Sequence, residues 1–150
     1  MAPSILFENA HIRIQLNAEY LALEWFFKPH ERIEQADFQE YLDIYLLLYS
    51  EHRDKYVALS GLYYLDYKEA ILPEAIMMTG HENTPLLYAA GMRREAFVVP
   101  PHAQSRDIEK AIALYERLAV EIEVQRFDRL EPARLWLQSA NPWAMRKEMA

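Results

Sequence analysis

The apolar residues of this chain change their spacing along its length, and the order of those changes limits the folds open to it. His11-Ile12-Arg13-Ile14-Gln15-Leu16 alternates apolar and polar strictly, which is the period of a half-buried strand with Ile12, Ile14 and Leu16 on one face. From residue 32 to 52 the step becomes three and four, through Phe38, Tyr41, Leu42, Tyr45, Leu48 and Tyr49, and predicts the first long helix. Such a switch from period two to period 3.6 is what an α/β chain shows.

The remaining segments extend the pattern. Ile5-Leu6-Phe7 is a short apolar run before the first alternating strand. After the turn residues Asn17-Ala18, residues 20–27 are rich in β-type aromatics and predict the next antiparallel strand, ended by Lys28-Pro29-His30. Residues 56–62 form a nearly continuous apolar run, as a central strand covered on both faces does. Residues 66–79, a break at 80–85 and a resumption at 86–90 predict one interrupted helical region, stopped at Gly91.

Residues 94–99 predict another buried strand, ended by Pro100-Pro101. Ser105 then precedes the stripe Ile108, Ala111, Ile112, Tyr115, Leu118 and Ala119, an amphipathic helix with its cap. Ile122, Val124 and Phe127 predict the last strand, and Asp128 with Glu131 resembles a capping box opening a helix with Ala133, Trp136 and Leu137. Three strands followed by alternating helix and strand imply an α/β sandwich. Its mixed sheet has antiparallel N-terminal strands and parallel later strands, because right-handed crossovers are nearly obligatory, and about four helices flank it.

Composition removes whole classes of chemistry. The 150 residues fit one domain, 1–150, and 52% apolar content supplies a core without staples. Without cysteine there is no disulfide, thiolate zinc site or thiol nucleophile, and the three glycines are too scattered for a phosphate loop. Sixteen basic residues against twenty-three acidic ones give a net charge of −7, which argues against nucleic acid and anionic membrane as partners. The first residues lack a basic and apolar leader, and the apolar cluster at residues 41–49 is too short to cross a bilayer. The expectation is a cytoplasmic protein.

One stretch resembles a known family. Val57-Ala58-Leu59-Ser60-Gly61-Leu62-Tyr63-Tyr64-Leu65-Asp66 is an apolar strand running through a short loop to an acidic residue, similar to the central motif of anti-sigma-factor antagonist (STAS) domains. Ala96-Phe97-Val98-Val99 and the ending Phe127-Asp128, Ala133, Trp136-Leu137 resemble the SpoIIAA-like branch. The resemblance spans roughly residues 20–137 and implies a STAS-like sandwich acting as a bacterial-type regulator through protein contacts. Regulatory members carry a phosphorylatable Ser after the acidic residue, whereas Tyr67, Lys68 and Glu69 stand here. The classical phosphate switch is therefore not expected.

His81-Glu82-Asn83-Thr84-Pro85 opens like a zinc-protease motif but has Pro85 where the second histidine belongs, and the five histidines are not closely spaced, so no metal or cofactor is expected. Asp66 with Glu69 and Glu74 could serve acid–base chemistry, but a helix cap explains Asp66 without any chemistry. No nucleophile elbow exists, and the expectation is not an enzyme. Ten tyrosines are the compositional anomaly. Tyr63, Tyr64, Asp66 and Tyr67, with His102 and Ser105 from the loop after residue 99, make the candidate partner- or ligand-binding surface at the carboxyl ends of the strands. Two readings follow: a non-enzymatic interaction domain binding a protein partner or a second copy as a homodimer, or a module for a small apolar or lipid-like molecule in a pocket lined by Trp25, Tyr45, Tyr49, Tyr64 and Tyr88.

Overall fold

A computed structural model describes residues 2–28, 33–56, 59–66, 82–119 and 121–139. Six strands form one sheet in sequential order: β1 (Ser4–Glu8), β2 (Ile12–Asn17), β3 (Ala22–Phe27), β4 (Ser60–Leu65), β5 (Arg94–Val98) and β6 (Glu123–Phe127). The first three pair antiparallel, and β3 through β6 run parallel. The described helices are α1 (Gln35–His52), α2 (Thr84–Ala90), α3 (Arg106–Leu118) and α4 (Leu130–Ser139). The expected α/β architecture, with its mixed sheet and, among the described residues, four helices, is the one observed.

Sequential parallel strands joined by crossovers of one hand put the connecting helices on the same face. Side chains of α1, α2 and α3 accordingly share one apolar cluster with Trp25, Tyr63 and Phe97, while α4 covers the other face through Ala133 and Leu137 against Ala22, Leu62, Ala96 and Val98. Pairing register turns each strand's alternation into rows across the sheet. Ile14, Trp25, Tyr63 and Phe97 stand side by side on the three-helix face, and Arg13, Phe26, Tyr64 and Val98 on the α4 face. The aromatic row is packed ring on ring, with Trp25 5.3 Å from Tyr45 and Phe97 5.1 Å from Tyr115.

Among the boundaries that differ from the expectation are those of two central strands. The β2–β3 turn takes residues 18–21, with Leu21 at φ 55°, so β3 begins at Ala22 instead of 20. The fourth strand runs from Ser60 to Leu65 and not over 56–62, because its parallel partner β3 offers hydrogen bonds out to Phe27, opposite Leu65. Tyr63 and Tyr64 therefore lie within the strand and point to opposite faces. Val57-Ala58, Tyr67, Glu69, Glu74, His81 and the expected helix after Asp66 lie outside the described residues. Gly91 closes α2 as expected, at φ 118°, with its N–H turned back to the carbonyls of Leu87 and Tyr88.

One charged clamp holds α4 to the sheet. Glu24 of β3 is fully buried, and Arg134 of α4 grips it with two hydrogen bonds, Nε to Oε2 at 2.7 Å and Nη2 to Oε1 at 2.9 Å. Gln15 Nε2 donates to the same carboxylate at 2.7 Å. Replacing Arg134 by Met keeps much of the stem and strands the carboxylate, which should cost about 3–5 kcal/mol in chemical denaturation. A loss of only a few tenths would show that the clamp does not hold the helix.

Candidate functional site

The carboxyl ends of the parallel strands gather three of the six residues singled out in the sequence. Asp66 follows β4 directly, and His102 sits in the 3₁₀ turn Pro101–Ala103 after β5, where two prolines fix the approach. His102 Nε2 lies 2.6 Å from Asp66 Oδ1 and 3.2 Å from its backbone oxygen. Tyr64 reaches the same edge on the α4 face. Partial burial and the neighbouring Asp66 carboxylate push its phenol above the ordinary range.

The other three are not part of this surface. Tyr63 is buried on the three-helix face, Tyr67 lies outside the described residues, and Ser105 spends its hydroxyl as the N-cap of α3, accepting from the Ile108 N–H at 3.2 Å. The apolar pocket imagined between Trp25, Tyr45, Tyr49, Tyr64 and Tyr88 does not form. Trp25, Tyr45 and Tyr49 are packed into the core, and Tyr64 is on the far side of the sheet. Tyr88 is half-buried beneath the Arg93 guanidinium, 3.9 Å from its ring. Alternation along β4 separates what adjacency in sequence had joined.

Beside Tyr64 and Asp66 an open pocket of about 210 Å³ is lined also by Arg13, Phe26, Phe27 and Lys28. Its floor follows from the register: Arg13 opposes Phe26, which opposes Tyr64. The Arg13 guanidinium carbon lies 4.8 Å from the centre of the Phe26 ring, and the Phe26 and Tyr64 rings are 5.5 Å apart. Lys28 is engaged by Glu8 at 3.0 Å and by the Asn9 carbonyl at 2.6 Å. Arg13 Nε is buried with no acceptor among the described residues, an omission that costs roughly 1–3 kcal/mol.

A second polar cluster lies inside the three-helix layer. Glu95 of β5 is fully buried and accepts hydrogen bonds from Tyr63 Oη and from Tyr115 Oη, the latter at 2.5 Å, and Tyr115 in turn meets Thr84 Oγ1 at 2.7 Å. Glu95 stands opposite Gly61, where a Cβ would come within 2.9 Å of both Tyr45 Oη and Met92 Cε. The Tyr45 hydroxyl is fixed by its 2.8 Å bond to the Leu23 carbonyl, so glycine makes the room. An acid within an apolar run was the available sequence signal for this cluster. Arg13 had a signal too, as an off-core residue of an alternating strand, but only register joins it to Phe26 and Tyr64.

Among the described residues no three of His, Asp and Glu converge on a point that could hold a metal ion, and no helix is long and apolar enough to cross a membrane. No protein-family model, curated protein or solved structure matches the chain.

Burial lifts the Glu95 carboxyl from 4.5 to about 7, against the two phenolic hydrogen bonds that pull it down. Between those values the folded chain keeps a proton that the unfolded chain has released. Stability from this group is therefore greatest below the unfolded value, falls as pH rises through about 7, and levels off above it, a total of about 3 kcal/mol. Glu95→Gln should remove this slope, so the variant's stability relative to the parent should rise with pH across the window in urea unfolding. A difference independent of pH would show that Glu95 does not titrate there.

Proposed function

We propose that the protein is a non-enzymatic interaction domain of the STAS-like kind its sequence resembles, acting in the cytoplasm through contact with another protein. The observation that carries this reading is the outer side of the helix layer. Helix α1 is apolar on more than its core face: Ile44 and Leu48 are only partly covered, and Leu47 is 59% exposed. These positions, three and four apart, form one ridge. Arg53, just past α1, donates to the Ala90 carbonyl at the end of α2 at 2.8 Å, so the two helices finish together. Leu86, 50% exposed, lies one turn back from that end on α2, as Leu47 lies nearly two turns back on α1.

A single exposed leucine needs no explanation, but neighbouring apolar side chains along α1, with a further exposed leucine on α2, have the character of a contact surface. Exposed Glu40, Asp43 and Glu51 flank it on α1. A partner with apolar side chains flanked by Lys or Arg complements that rim, whereas a second copy meeting it face to face would bring acid against acid.

A helical peptide with a leucine stripe and flanking lysines serves as the probe, with a glutamate-flanked peptide as control. The full chain should bind the lysine peptide at least about tenfold more tightly than the control, and Leu47→Glu should weaken it by about tenfold or more without changing the thermal midpoint. Equal binding by parent and variant would overturn the reading. Sedimentation of the parent alone tests the other occupant: a dimer dissolved by Leu47→Glu would replace the protein partner with a second copy.

A further inference from the structure

On the opposite side of the sheet from that ridge, we propose that the pocket at Arg13, Phe26 and Tyr64 binds a small aromatic monocarboxylate. The site is a product of strand register and does not depend on the protein-contact reading. Three neighbouring strands set a guanidinium, a phenyl ring and a phenol in one row, and the space in front of them is about 210 Å³. That is below the roughly 300–1,000 Å³ of sites for drug-sized ligands, and it suits a single ring with a short acidic group.

Among the described residues, Lys28 and one oxygen of Asp66 beside the pocket already have partners: Lys28 is held by Glu8 and by the Asn9 carbonyl, and Asp66 Oδ1 by His102. Arg13 has no carboxylate partner or hydrogen-bond acceptor among the described residues, and its guanidinium lies over the face of Phe26. A guanidinium offers parallel N–H donors that match a carboxylate, and a ring held against Phe26 and Tyr64 gains offset aromatic contact. The Asp66 carboxylate on the rim opposes a second negative charge, which favours a monoanion over a phosphate dianion. Asp66 Oδ2 has no protein donor among the described residues and can accept a hydroxyl from the ligand.

The test titrates the full chain with 4-hydroxybenzoate, followed by amide chemical shifts in NMR, alongside 4-hydroxybenzamide and inorganic phosphate. The acid should bind saturably with shifts confined to β2, β3 and β4 around the pocket, and the neutral amide at least about tenfold more weakly. Arg13→Gln should lower affinity for the acid by a similar factor. Arg13→Lys, which keeps the charge and loses the fork, should fall between, and covers the case in which the glutamine variant does not fold. Leu47→Glu should bind as the parent does, which separates this site from the helix ridge. Acid and amide binding alike, an Arg13→Lys protein equal to the parent, phosphate displacing the acid at equal concentration, or no saturation up to the solubility limit would each overturn the proposal.

Discussion

The two faces of the sheet and the open pocket depend on the register of β2 through β5. Because Arg13, Phe26 and Tyr64 are paired neighbours, as are Ile14, Trp25, Tyr63 and Phe97, each face of the sheet carries continuous rows instead of scattered side chains. A slip of one residue in any strand would exchange the two faces. In β3 it would place Trp25 under α4 and the Glu24 carboxylate inside the three-helix layer. The burial of Trp25 and Tyr63 on one side and of Leu62 and Ala96 on the other therefore fixes the register, and the register in turn builds the open pocket.

The sheet carries two fully buried acids, and the fold handles them by different physics. Glu24 keeps its charge company with a bidentate arginine from a helix that comes more than a hundred residues later. Its cost of desolvation is offset by a full opposite charge. Glu95 is given only neutral donors, two phenols, and no cation bonds to it among the described residues. Its carboxyl responds by holding its proton to a higher pH. The first arrangement ties two layers together. The second ties β4, β5 and α3 around one atom group and makes that junction sensitive to proton concentration.

The outer surfaces divide in the same way. The three-helix layer is thick and filled by aromatic side chains, so a recognition feature on that side lies on its exterior, where α1 and α2 leave leucines uncovered. The α4 face is covered over β4, β5 and β6, and towards β2 and β3 its carboxyl end is open enough for Arg13, Phe26 and Tyr64 to line a pocket. An apolar ridge with an acidic rim and an aromatic pocket with one unpaired cation are chemically distinct. They also sit on opposite sides of the sheet.

The sequence by itself determined the class of fold, since the period of apolar residues reports local geometry: His11 to Leu16 reads as a strand and Phe38 to Tyr49 as a helix wherever they are placed. It also determined the helix cap at Ser105 and the turn at Gly91, which rest on nearby backbone groups. The meeting of Asp66 and His102 was accessible from the rule that active edges lie at strand carboxyl ends. Tertiary structure alone decided which tyrosine went where. Tyr63 and Tyr64 are neighbours in the chain, yet a shift of the strand boundary to Leu65 put one on Glu95 and the other on Phe26. Adjacent residues of a strand face opposite ways, and which way is set by what the rest of the chain buries, a long-range choice that local spacing does not encode.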